Sequence, residues 1–153
     1  MKLFRGSILH FADSRNKTAG DHPWSSYQSF EDGILRIKNG KVVDVGATDV
    51  FVKQGLDITN CLDYRGKLIM PGFIDAHAHA PQTEVMASFG EQLIDWLNQY
   101  TFPAEGKFSD ADYAQAAPES FLDQLVSNGT TTAMVYTSVF ASSTQIFFEA
   151  AQK

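Results

Sequence analysis

The sequence predicts an α/β protein, with a small β-rich domain followed by the first units of an incomplete (β/α) barrel of TIM-like type. Three observations lead there. Near residue 68 the chain changes from short alternating strands with turns to continuous apolar runs separated by helical stripes. The order strand, helices, strand, helix beyond that point implies parallel strands joined by helical crossovers. A closed barrel of eight such units takes about 250 residues, and this half supplies roughly two units. The expected domains are therefore residues 1–68 and a truncated barrel segment, 69–153.

Each element has its own signal. LFRGSILHF reads as an opening strand, and residues 13–31, rich in Ser, Asp, Asn, Gly and Pro, as a long loop. GILRIKNGKVVDVG holds two strands around Asn39-Gly40, a pair that readily takes the positive φ angles of a type I′ turn. Ile34, Ile37, Val43 and Val45 supply its apolar surface, with imperfect alternation. LIMPGFIDAHAH is a nearly continuous apolar run, as expected of a strand buried on both sides. A helix is expected over 88–100, with Ser88 and Glu91 at capping-box spacing and Leu93, Trp96, Leu97 and Tyr100 on one stripe. A second is expected over 110–127, capped by Ser109 with Asp112 and stopped by Asn128-Gly129, and Pro118 should kink or split it. TTTAMVYTSV reads as another buried strand, and a third helix should start after Ser142 or Ser143. Two such strands alone would leave an open apolar edge.

Composition excludes several classes. A hydrophobic share of 44% with 20% charged residues is that of a globular chain rather than a disordered one. A net charge of −6 argues against nucleic acid, whose phosphates need concentrated Lys and Arg. Cys61 is the one cysteine, so no internal disulfide can form and a reducing compartment is expected. The N-terminal apolar stretch is too short for a signal peptide, and no run approaches the roughly 20 apolar residues of a membrane span. A soluble cytoplasmic protein is the expectation.

The chemistry concentrates in PGFIDAHAHAPQ. Two of four histidines, His77 and His79, stand two apart, which on a strand puts both rings on one face. Imidazole nitrogen suits zinc and similar metals, and a barrel builds its active site at the C-terminal ends of its strands. Asp75 shares their parity and reads either as an orienting partner or as a polar residue at a strand end. A polar strand end also accounts for a lone His-x-His, and two histidines do not complete a site that takes about four ligands. His10 and His22 are assigned surface or packing roles.

The surrounding residues carry a resemblance. LIMPGFIDAHAHAPQ resembles the opening barrel strand of the amidohydrolase superfamily, where a small β-domain of partial β-sandwich type precedes Pro-Gly-Phe-Ile-Asp-x-His-x-His. More narrowly, HAHAPQ, EQLIDWLNQYTFPAE and SNGTTTAMVY resemble the guanine deaminase family. That resemblance implies zinc-dependent hydrolytic deamination of guanine to xanthine and ammonia, in purine catabolism. His77 and His79 would bind one zinc ion and Gln82 would contact the purine, its amide offering a donor and an acceptor. The remaining metal ligands and the proton-transferring glutamate are implied on later strands, so no catalytic residue is assigned within the chain. Trp96, Tyr100 and Phe102 read as helix packing rather than as an aromatic wall. Glu84, Glu91 and Glu105 are given capping or surface roles. The expected partner is the small purine, with a homodimer of the full-length enzyme as a further expectation and neither nucleic acid nor membrane. The chain is read as an N-terminal fragment, inactive alone. Another amidohydrolase acting on a different amino-heterocycle or cyclic amide stays open, as does a non-catalytic remnant.

Overall fold

The computed structural model describes residues 1–11 and 27–153. These form two compact units, Met1–Pro71 and Gly72–Lys153.

In the first unit, β1 (Lys2–Phe11), β2 (Tyr27–Lys38), β3 (Lys41–Ala47) and β4 (Leu62–Ile69) make one sheet ordered β3-β2-β1-β4. Strand β4 lies parallel to β1, and the other neighbours are antiparallel. Asn39 and Gly40 take φ angles of 52° and 74°, the left-handed pair a type I′ turn requires, with Lys38 opposite Lys41. The imperfect alternation has a cause. The β2–β3 register shifts between Arg36 and Ile37, and such an irregularity exchanges the faces on one side of it. Ile8 and Ile34 form the core with Phe51 from the short helix α1 (Thr48–Lys53). Asp32 ties the sheet to that helix, accepting two bonds of 2.7 Å from the Arg5 guanidinium and one of 3.0 Å from the Thr48 hydroxyl. The loop expected over 13–31 is shorter at its far end, because Tyr27 and Gln28 already pair with Phe11 and His10. The rest of it, His22 included, lies outside the described residues.

The apolar run from Leu68 to His79 is two strands rather than one. Leu68 and Ile69 finish β4, whereas β5 (Phe73–His79) belongs to the second unit. Pro71 has no N–H to give a ladder. Gly72 passes so close to β6 (Thr130–Tyr136) that a Cβ there would lie 2.1 Å from the Thr131 hydroxyl oxygen. The parallel pair β5–β6 is not buried on both faces as expected: Ile74 is 76% and Met134 56% exposed. Burying a parallel strand takes a cover on each face, and two strands with helices along part of their surface lack it.

The connection from β5 to β6 is helical. It runs through a 3-10 turn (Ala80–Val85), α2 (Leu93–Trp96), a π turn (Leu97–Thr101), α3 (Phe102–Gly106), a 3-10 turn (Lys107–Ser109) and α4 (Ala111–Ser127). Helix α2 starts five residues later than expected, at Leu93, and Ser88 and Glu91 make no capping box. The Ser88 carbonyl instead accepts the Trp96 indole N–H at 3.1 Å, and the chain folds over Trp96 at Gly90, where a Cβ would meet the Trp96 Cβ at 2.5 Å. The π turn precedes Pro103, whose missing N–H and bulky ring disfavour an ordinary α-turn behind it.

Helix α4 is capped by Asp110, which accepts the Tyr113 N–H at 2.9 Å, and not by Ser109, which bonds back to the Gly106 carbonyl. It ends at Asn128 and Gly129 (φ 84°) as expected, and it runs through the buried Pro118 without dividing. Helix α5 (Ala141–Ala151) follows Phe140 and packs on α4 through Phe121 and Phe147, ring centroids 6.0 Å apart. No helix among the described residues is long and apolar enough to cross a membrane.

Candidate functional site

Strand β5 delivers both histidines to one face. Their Nε2 atoms lie 2.9 Å apart, and the rings tilt by 38° about that contact. Two nitrogens bonded to one zinc ion at about 2.0–2.1 Å lie about 2.9 Å apart at a right angle and about 3.3 Å at the tetrahedral angle. The observed spacing therefore fits a shared ion. Without one, a single proton between the rings satisfies the same geometry, one imidazole donating and the other accepting. No group of three or more His, Cys, Asp or Glu side chains is placed to hold a metal among the described residues. The pair supplies two candidate ligands, where a zinc site takes about four.

Asp75 does not orient a ring. Its carboxylate accepts the backbone N–H of His77 at 3.0 Å, in the stretch where the β5–β6 register is interrupted between Asp75 and Ala78. The residue that does hold the rings was missed by sequence reasoning. Tyr136 of β6 stands opposite His79 in register and packs against both imidazoles, at 4.9 Å from His77 and 4.8 Å from His79. The parity of β6 relative to β5 would have been needed to find it, and parallel register is not written in either strand alone.

Gln82 sits in the 3-10 turn that follows β5. Its amide nitrogen is 3.2 Å from His79 Nδ1 and 3.1 Å from a carboxylate oxygen of Glu105 on α3. Glu105 is thus neither a cap nor a free surface carboxylate. The turn itself is anchored by buried Ala80, Pro81 and Val85. From its outer side Glu84 binds the Lys107 ammonium and accepts the Tyr113 hydroxyl at 2.8 Å. Lys107, and secondarily Tyr113, holds the Glu84 carboxyl below its ordinary pKa, and burial followed by Glu84 pushes the Tyr113 phenol up to about 12. Glu91 makes no cap, and His10 contacts Gln28 and stacks on Phe30 in the first unit, far from any metal role.

A cavity of about 510 Å3 opens beside His79 and Gln82, walled by Val85, Met86, Trp96 and Phe121. That volume lies within the range of small-ligand sites. Trp96 therefore faces the cavity in addition to packing, whereas Tyr100 and Phe102 do not line it. The arrangement offers two converging imidazoles, an amide beside them and an aromatic wall. It suits a flat, polar-edged molecule held next to a metal ion.

Known proteins share this arrangement of sequence and fold. The family model described as Amidohydrolase family matches residues 68–153. The guanine deaminase of Escherichia coli (strain K12) is 42% identical over 151 residues, covering 99% of this chain and 34% of the relative. The solved E. coli guanine deaminase superposes with a TM-score of 0.85, over 99% of this chain and 35% of that one. Guanine deaminase from C. acetobutylicum, solved with guanine bound in its active site, gives a TM-score of 0.77 at 28% identity, over 98% and 33% of the two chains. The chain spans about a third of the length of the relatives it matches. These likenesses give its fold: mixed α/β, a β-rich unit followed by strand–helix units of the TIM-barrel amidohydrolase type.

Proposed function

Because the chain belongs to the amidohydrolase family, a family of hydrolytic enzymes, we propose that it forms the first metal-binding strand and the base-contacting turn of a guanine deaminase. The overall reaction is guanine plus water giving xanthine plus ammonia. One observation carries the reading: the Nε2 atoms of His77 and His79 converge at 2.9 Å beside the Gln82 amide, at the mouth of a cavity sized for a small ligand. The 42% identity to a guanine deaminase supports the choice of substrate.

In this reading His77 and His79 hold one zinc ion through Nε2. When bound, such an ion acts as a Lewis acid and makes water a nucleophile near neutral pH. The chain's own residues do the rest of what it contributes. Tyr136 fixes the plane of both rings, so that their lone pairs converge without a search through side-chain rotamers. Trp96 and Val85 give a flat base an apolar wall and keep water from that side. Gln82 hydrogen-bonds the base edge and sets which ring carbon faces the metal side.

Two imidazoles alone bind an ion weakly, since a catalytic zinc takes about three protein ligands. The 153-residue chain by itself is accordingly expected to show no guanine turnover, and robust turnover by it would overturn that part of the proposal. The test of the whole is xanthine formation by the full-length, zinc-loaded protein against a panel of amino-purines and cyclic amides. Guanine should be preferred, and His79→Ala and Gln82→Ala should each depress its conversion. Preference for another amino-heterocycle, with guanine untouched, would refute the substrate assignment.

A further inference from the structure

We infer that Glu105 is the positioning residue of Gln82, fixing which end of its amide is offered to the ligand; this rests on the reading of Gln82 as the base contact. An amide alone is ambiguous, since a half-turn about its last bond exchanges donor and acceptor. Glu105 removes the ambiguity. An ionised carboxylate only accepts, so the Gln82 atom 3.1 Å from Glu105 Oε1 is the NH2 group. The reverse orientation would bring two acceptor oxygens together at that distance and forfeit the bond.

Both partners are held in place. Glu105 lies between Ala104 and Phe108, which are 4% and 7% exposed, on a helix whose approach is set by the π turn. The Gln82 turn is also pinned by Glu84, which binds the Lys107 ammonium and the Tyr113 hydroxyl. Among the described residues the hydrogen-bond partner of Glu105 is Gln82, so its influence on a ligand passes through the amide.

The second amide hydrogen points to His79 Nδ1 at 3.2 Å. With the two amide hydrogens directed at Glu105 and His79, the carbonyl oxygen is the end left to a ligand, and it only accepts. It therefore selects a base edge that presents an N–H donor and rejects one that presents only acceptors. Guanine offers such donors at its ring N–H and its exocyclic amino group.

The test has two arms in the full-length protein. Without ligand, the Gln82 side-chain NH2 is followed by 15N–1H NMR in wild type, Glu105→Gln and Glu105→Ala. One of its two protons should be displaced and slowly exchanging in wild type, should collapse to free-amide behaviour in Glu105→Ala, and should move part of the way in Glu105→Gln, whose neutral carbonyl still accepts but no longer excludes the flipped amide. The isosteric Gln variant guards against loss of folding. A Gln82 resonance indifferent to residue 105 would overturn the inference. With guanine, Glu105→Gln should raise KM roughly tenfold, the weight of one charge-assisted hydrogen bond. Its kcat should stay within about threefold, and its zinc content should be unchanged. An unchanged KM in an active protein also overturns it. If wild type shows the NMR signature but ignores guanine, the substrate reading falls and the positioning role of Glu105 stands.

Discussion

Gly72 is where a single methyl group should do most damage to the site. An ideal Cβ there lies 2.1 Å from the Thr131 hydroxyl oxygen, 2.4 Å from its Cγ2 and 2.7 Å from its Cβ. Ordinary non-bonded contacts are about 3.5–4.0 Å, so all three overlap by an ångström or so. Rotating Thr131 relieves the first two and not the third, because a Cβ does not move with χ1. Strand β5 must therefore shift from β6. Overpacking of this kind typically costs about 1–3 kcal/mol, and the involvement of Cβ argues for the upper end. At about 3 kcal/mol the folding constant falls roughly 150-fold.

The shift also moves His77 and His79 against Tyr136, the aromatic ring that packs on both of them among the described residues. Gly72→Ala should thus lower the urea midpoint and weaken zinc binding together. Thr131→Gly removes the obstructing atoms but weakens the strand by itself, so the diagnostic is a double-mutant cycle. The double variant should be more stable than the sum of the single effects by about 1–2 kcal/mol. Thr131→Ala, which keeps the Cβ, should rescue less. An additive cycle, or a Gly72→Ala protein as stable as wild type, would refute the packing argument.

Four further outcomes are expected. Thr101 is 1% exposed and its hydroxyl has no partner among the described residues, so Thr101→Val should be neutral or stabilising by up to about 1 kcal/mol in chemical denaturation. Gly40 holds φ 74° with nothing among the described residues within 4 Å of its Cβ position; Gly40→Ala should therefore cost about 1 kcal/mol through backbone strain, without altering zinc affinity. The Glu84 carboxyl titrates below its ordinary 4.5. Its contribution is full above that value and is lost as pH falls through the lowered folded pKa. Measured by NMR titration, Lys107→Met should raise the Glu84 pKa more than Tyr113→Phe does, following the order of the two causes. In the same cluster Glu84→Gln should bring the Tyr113 phenol down from about 12, read by ultraviolet absorbance.

The sequence was most informative where one local rule sufficed. Asn39-Gly40 declared its turn because few pairs tolerate two positive φ angles, and Asn128-Gly129 declared its helix end because Gly129 takes the left-handed conformation there at no steric cost. The His-x-His pair showed its shared face because strand parity is local. Elements that depend on distant partners were less legible. The split between β4 and β5 rests on Leu68 and Ile69 pairing with Ser7 and Ile8, some sixty residues earlier, which no apolar run reveals. The late start of α2 follows from the Trp96 indole claiming the Ser88 carbonyl, a tertiary bond that overrides capping-box spacing. Pro118 suggested a break, yet the helix continues, since burial of the ring compensates the lost backbone bond. In the proposed site, His77, His79 and Gln82 lie close together in sequence and could be named from it. Tyr136 and Glu105 come from other elements, and only the fold brings them in.

The central claim is that His77 and His79 share one metal ion through Nε2. It is tested most directly by 15N NMR of the histidine-labelled, full-length protein during zinc titration. The account predicts that the Nε2 resonances of both residues shift together to the metal-bound position and saturate at one equivalent, while His10 does not move. Saturation of the protein with either His77 or His79 left at its metal-free position would contradict it.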